Sequence, residues 1–233
     1  LKMLQSCVVG GGGSQFRDFT SVHPTCQLIT GDEAPFSLSA EDVEYLAEWI
    51  NPVYLDGRGT EKIQKKFEED GSIHLMNILN EQVANAIREE MIRVDGQDAV
   101  GEGRRPAYDV GMCGGWSLHG PAHMQRYLTF PSEYARDTSS PHNRLGSILS
   151  DIYEKLISSV PFANFIRACT TLSMLGCQGE VRRFRPGLDY TVAHYGGLTK
   201  DPRLDVVFCF VNDAPMDSWG DGECGGFEAY VLA

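Results

Sequence analysis

The order in which two hydrophobic periodicities occur along the chain predicts an α+β fold, with helices packed on one face of a β-sandwich. Between about residues 40 and 170 the apolar residues recur mostly at helical spacing, and from Met174 onward they gather in β-branched and aromatic runs. Helices first and strands later is the α+β pattern. The second observation is the stretch 204–211, Leu-Asp-Val-Val-Phe-Cys-Phe-Val. There Val206, Phe208 and Phe210 share one face while Val207, Cys209 and Val211 share the other. A strand apolar on both faces is expected to be buried on both, as a central strand of a sandwich or barrel. The third is punctuation: Pro-Gly, Gly-Gly and Asp-Gly pairs divide 181–231 into three strand-like runs. Pro186-Gly187 suits the central positions of a type II turn, because Pro fixes φ and Gly accepts a positive one. No internal repeat is present.

Each helix carries its own signals. Ser39 and Asp42 form a capping box ahead of Val43, Leu46, Ala47 and Ile50, and Asn51-Pro52 ends that helix. Thr60 is the expected cap of a helix over 61–69 that buries Ile63 and Phe67. Asp70-Gly71 then turns the chain into an expected strand over 72–79. Asn80 caps a helix to about Arg93 with Val83, Ala84, Ile87 and Met91 inward. Residues 95–115 are polar and glycine-rich, an expected exposed loop. Strand fragments are expected at 116–118 and 125–130, on either side of Gly120-Pro121, with another loop up to Asn143. Leu145, Ile148, Leu149, Ile152 and Leu156 mark an amphipathic helix, and a shorter one over 162–171 buries Phe162, Phe165, Ile166 and Cys169. Ahead of all this, residues 4–9 have the character of a short strand, and the glycine run at 10–13 reads as a flexible linker. Residues 1–35 are therefore expected to be a linker or the tail of a preceding domain, and 36–233 the domain proper.

Bulk properties exclude several classes. The formal net charge is -12 and the pI about 4.9, whereas a nucleic-acid surface needs a basic stripe that displaces counterions. No apolar run approaches the roughly 20 residues of a membrane-spanning helix. The seven cysteines are scattered, odd in number and without a Cys-x-x-Cys pair. That pattern points to reduced thiols in the cytoplasm or nucleus rather than a secreted disulfide framework.

Specific residues carry a family resemblance. The run 180–191, Glu-Val-Arg-Arg-Phe-Arg-Pro-Gly-Leu-Asp-Tyr-Thr, is the most distinctive part. It is joined by Tyr195-Gly196-Gly197, Arg203-Leu-Asp-Val, and Gly225-Gly-Phe-Glu-Ala-Tyr. Upstream matches are Ser39-Ala-Glu-Asp-Val-Glu-Tyr-Leu, Trp49-Ile-Asn-Pro-Val-Tyr-Leu, Ser72-Ile-His-Leu, Gly115-Trp, Gly120-Pro and Gln125-Arg-Tyr-Leu. Over about residues 36–233 the chain resembles the C-terminal domain of the eukaryotic Fe(II)/2-oxoglutarate-dependent prolyl hydroxylases that modify a small-subunit ribosomal protein. The resemblance implies two double-stranded β-helix (jelly-roll) domains in tandem, of which only the N-terminal one holds iron. This chain looks like the second, ending before the family's last strands. Fe(II), 2-oxoglutarate and ascorbate are then implied for the whole enzyme and none for this segment. The implied partners are the catalytic domain of the same chain and a regulatory or ribosome-associated protein.

The residues themselves bear on iron directly. Non-haem Fe(II) oxygenases use two histidines and a carboxylate, usually with His-x-Asp/Glu on a strand, where residues two apart share a side. The residues two after His23, His74, His119, His123, His142 and His194 are Thr25, Met76, Pro121, Gln125, Arg144 and Gly196. None is a carboxylate. His194, with Gly196 where the carboxylate would stand, is the one candidate for an unusual metal site of the kind in which halide fills the vacancy. No second histidine follows it, and the alternative is a partly buried strand histidine. His119 and His123 are four apart, but Gly120 and Pro121 break any helix that would align them. Arg183 and Arg185 share a strand face in the one local basic cluster, and three roles are open to them. They can bind a carboxylate or phosphate, pair with the chain's own acidic residues, or meet an acidic partner. Trp219, in an acidic glycine-rich loop, is either a partner anchor or a lid folded back on the sheet.

Overall fold

The structure is a computed structural model that describes residues 36–100, 106–131, 134, 143–172, 174, 176–192 and 203–211, with the backbone of 2–8 and 17–18. The strands are β1 (Lys2–Val8), β2 (Arg17–Asp18), β3 (Ser117–His119), β4 (Gln125–Thr129), β5 (Gly176–Arg183), β6 (Tyr190–Thr191) and β7 (Arg203–Cys209). The helices are α1 (Ala40–Ala47), α2 (Gly57–Asp70), α3 (Glu81–Gln97), α4 (Asn143–Asp151) and α5 (Val160–Thr170). The fold is α+β, as its order of periodicities predicts.

The strands form one antiparallel sheet in the order β3-β4-β5-β1-β7, with β2 beside β5 and β6 beside β4. The described residues form no jelly-roll barrel: one sheet is present, not the two that a jelly roll stacks. β1 pairs with both β5 and β7 in this sheet. Among the described residues β7 lies at the end of the strand order, not at its centre. It is also one-sided. Phe208 is buried and Leu204, Val206 and Phe210 pack on the core, whereas Asp205, Cys209 and Val211 are exposed. The apolar character of Val211 and Cys209 made this strand look two-sided, but an exposed apolar residue carries little information about burial.

Helices α4 and α5 lie against the sheet and bury Leu145, Leu149, Phe162 and Phe165 in the core. Phe162 meets Phe208 across this interface, with ring centroids 6.1 Å apart. α4 continues into a π-helical stretch (Ile152–Ile157) closed by the Ser158 amide donating to the Tyr153 carbonyl at 2.9 Å. The wider turn lets the adjacent residues Leu156 and Ile157 both be buried. α1 starts with the capping box read from the sequence: Ser39 Oγ accepts from the Asp42 amide, and Asp42 accepts from the Ser39 amide. Asp42 also accepts from Asn164 Nδ2 of α5 at 3.1 Å, which ties the two helices together.

Several boundaries differ from expectation: α1 ends at Ala47, short of Ile50, and α5 runs over Val160–Thr170. α2 begins at Gly57, before Thr60, whose hydroxyl donates to the Gly57 carbonyl inside the first turn. Residues 72–79 are not a strand but an irregular turn held by the Ile50–Leu79 bridge and by the Tyr54 hydroxyl and Asn51 Nδ2 donating to the Met76 and Asn77 carbonyls. Ile73, Leu75 and Ile78 pack on the core from that turn, so apolar content there reflects packing rather than pleat. α3 runs to Gln97, four residues beyond the expected Arg93, and so delivers Asp95 and Asp98 to the sheet.

Candidate functional site

Residues two apart along β4 and β5 share a face, and Leu128 pairs directly with Arg183. The helix-covered face therefore carries Phe130, Leu128 and Arg126 from one strand line, and Val181, Arg183 and Arg185 from the other. Its apolar part belongs to the core. Its other end is a charged cluster.

Every charge in that cluster has a named environment. Arg183 donates through Nη1 to Asp98 Oδ2 at 2.5 Å and through Nη2 to Asp95 Oδ1 at 2.9 Å. Arg185 grips Asp189 side-on, Nε to Oδ2 and Nη2 to Oδ1, both at 2.8 Å. The Arg185 amide also donates to Asp189 Oδ2 at 2.7 Å, and Nη1 donates to the Tyr108 and Val110 carbonyls at 3.1 and 2.7 Å. The turn at Pro186-Gly187, with Gly187 at φ +73°, folds Asp189 back onto Arg185. Arg185 is 1 % exposed and the Asp189 side chain 0 %. A fork that saturates a carboxylate and two carbonyls compensates its own desolvation. Of the three roles open to Arg183 and Arg185, pairing with the chain's own acids is the one this geometry displays.

Arg126 completes the cluster. It is 5 % exposed, its guanidinium lies 3.8 Å from the centroid of the Tyr108 ring, and Nε is 3.6 Å from Asp189 Oδ1. Nothing in the sequence singled it out. Its only signal was a place in the Gln125-Arg-Tyr-Leu match.

The other face of the same strands is aromatic. His119 stacks on Tyr127 at 4.9 Å, Phe184 lies 5.3 Å from it, and the Arg182 guanidinium 4.5 Å above its ring. Arg182 pairs with Glu180, to which the Tyr127 hydroxyl donates at 3.1 Å. Burial is the main reason that the Tyr127 hydroxyl is held well above its usual pKa. On the apolar side, desolvation pushes the Cys169 thiol up to about 12.

No three His, Cys, Asp or Glu side chains among the described residues assemble into a metal-binding group. His119 is engaged with Tyr127, and the described residues offer no set that fits Fe(II). His194 and Trp219 lie outside the described residues.

Two comparisons bear on this chain. The family model described as "Oxoglutarate and iron-dependent oxygenase degradation C-term" matches residues 41–233. The chain belongs to this family. Among curated proteins it is similar to prolyl 3,4-dihydroxylase OGFOD1 of Ostreococcus tauri, with 34% identity over 190 residues. That match covers 81% of this chain and 36% of the relative, so the chain spans about a third of that protein's length. In this chain the Arg-Phe-Arg-Pro-Gly-Leu-Asp run is the segment that closes the charged cluster.

Proposed function

We propose that this chain is the non-catalytic C-terminal domain of an Fe(II)/2-oxoglutarate-dependent prolyl hydroxylase and that it acts by protein contact. The observation that carries this reading is the match of residues 41–233 to a C-terminal oxygenase family. The missing carboxylate two residues after every histidine supports the non-catalytic part, and Fe(II), 2-oxoglutarate and ascorbate then serve the catalytic domain of the same protein. A jelly-roll plan is part of the proposal. The "degradation" in the family description suits a domain that regulates the stability of a bound protein in the cytoplasm or nucleus. A net charge of -12 suits recruitment of a protein through its basic residues rather than of nucleic acid. With Arg183 and Arg185 turned inward, the candidate contact residue is Trp219.

Deletion of 36–233 from the full-length hydroxylase tests the reading, with prolyl hydroxylation and partner retention both measured. Hydroxylation is expected to persist while the partner is lost. Loss of hydroxylation together with a lower melting temperature would instead identify an architectural domain. In the intact protein, Trp219→Ala is expected to weaken partner binding by about thirtyfold, the effect of a central tryptophan anchor. For the isolated chain, 2-oxoglutarate turnover that depends on Fe(II) and vanishes in His194→Ala would overturn the non-catalytic assignment.

A further inference from the structure

Arg126 is buried but unsatisfied. Its Nε and Nη2 atoms are both inaccessible and neither has a hydrogen-bond partner. These are the two nitrogens of the side-on edge, the same edge with which Arg185 grips Asp189. Asp189 does not hydrogen-bond both guanidiniums. Arg185 Nη2 donates to Oδ1, and Arg185 Nε and its amide donate to Oδ2, whereas the approach of Oδ1 to Arg126 Nε, at 3.6 Å, is too long for a hydrogen bond. Arg126, Arg185 and Asp189 together thus carry one uncompensated positive charge. Arg183, the other arginine of the face, is occupied by Asp95 and Asp98.

We propose that the unbonded Nε/Nη2 edge of Arg126 is a carboxylate-binding subsite, walled on the ring side by Tyr108. A buried guanidinium whose N–H groups are unmade carries a large desolvation penalty, which an incoming anion removes. Two parallel N–H donors on a planar edge match the two oxygens of a carboxylate, bond for bond. The Tyr108 ring holds the guanidinium plane, so the fork is presented already oriented. Tyr108 itself is 63 % exposed, so the guanidinium lies one ring beneath the solvent.

The test is acetate titration of the 233-residue chain at constant ionic strength, following arginine Nε–Hε resonances by NMR. One resonance, absent in Arg126→Lys, is expected to shift saturably with a midpoint on the order of millimolar, as a small ligand with one ionic contact allows. Tyr108→Ala, at an exposed ring whose backbone carbonyl still accepts from Arg185, keeps the test available if Arg126→Lys fails to fold. It is expected to weaken acetate binding about two- to fivefold, the range of an exposed cation–π contact. Inorganic phosphate is the second probe. Saturable binding of phosphate at the same resonance, tighter than acetate, would overturn the carboxylate assignment in favour of a phosphoryl ligand. A shift linear in acetate or shared by several arginines would overturn the site, and so would an unchanged affinity in Tyr108→Ala.

Discussion

Two ends of the same sheet face are held together by opposite means. At one end Leu128, Phe130, Val181 and Phe208 meet the helices in apolar contact. At the other, Arg126, Arg183 and Arg185 meet Asp95, Asp98 and Asp189. Apolar contact is non-directional and degrades gradually as atoms are removed. A buried ion cluster is all-or-none at each member, because deleting one partner strands the other's charge in a medium that cannot solvate it. The two ends should therefore respond differently to the same kind of substitution.

The largest effect is expected from Arg185→Met. It keeps the length of the side chain but leaves Asp189 buried with only its amide bond and the distant Arg126. A loss of about 3–5 kcal/mol is expected, read as the shift of a urea midpoint. A loss below about 1 kcal/mol would show that the cluster is solvated.

Phe208→Ala tests the apolar end. Truncating a buried phenylalanine costs about 3–5 kcal/mol, and the lower part of that range is expected because β7 ends the described strand order and can relax toward the gap. The same urea melts rank the two variants, and a Phe208→Ala loss exceeding that of Arg185→Met would invert the comparison.

Gly146→Ala examines how tightly helix and sheet approach. Alanine is the better helix former by about 1 kcal/mol, yet a Cβ at 146 would overlap the Phe130 ring. That ring is itself wedged against Trp116 at 5.2 Å. Overpacking is expected to prevail, with a net loss of about 1–3 kcal/mol; a raised melting temperature would mean that the ring yields freely.

Alkaline pH weakens the apolar end through a buried thiol. The Cys169 thiol is raised from an ordinary 9.0 to about 12 by burial. Above about pH 9 the unfolded chain sheds this proton while the folded chain keeps it, so stability falls as pH rises from there toward 12. Cys169→Ala is expected to flatten that part of the pH profile of the melting temperature, and an unchanged slope would assign it to other groups.

The smallest effect is expected outside both ends, where Thr171 closes α5 at φ +62°. A β-branched residue is strained there and glycine is not. Thr171→Gly is expected to raise stability by up to about 1 kcal/mol, less whatever its hydroxyl bond to the Thr170 carbonyl contributes. A fall in melting temperature would show that this bond dominates.

Local chemistry alone determined much of this protein. The Ser39/Asp42 capping box, the Asn80 cap, the helical stripes of α3 to α5 and the Pro186-Gly187 turn each depend on residues within four positions of one another. Such signals are complete in the sequence because the interacting groups are neighbours in it. The family was legible for the same reason, since its most distinctive run is contiguous. Tertiary structure alone decided the rest. That β7 stands at the end of the strand order depends on its pairing with Lys2–Val8, about 200 positions away, and periodicity carries no information about neighbours across a sheet. Residues 95–115 looked like an exposed loop because their composition is polar. Asp95 and Asp98 are nonetheless the partners of Arg183, 88 and 85 positions distant. Composition records that a side chain is charged but not which charge it will meet. Arg126 shows this most sharply, since only the fold places it beside an aspartate already committed to another arginine.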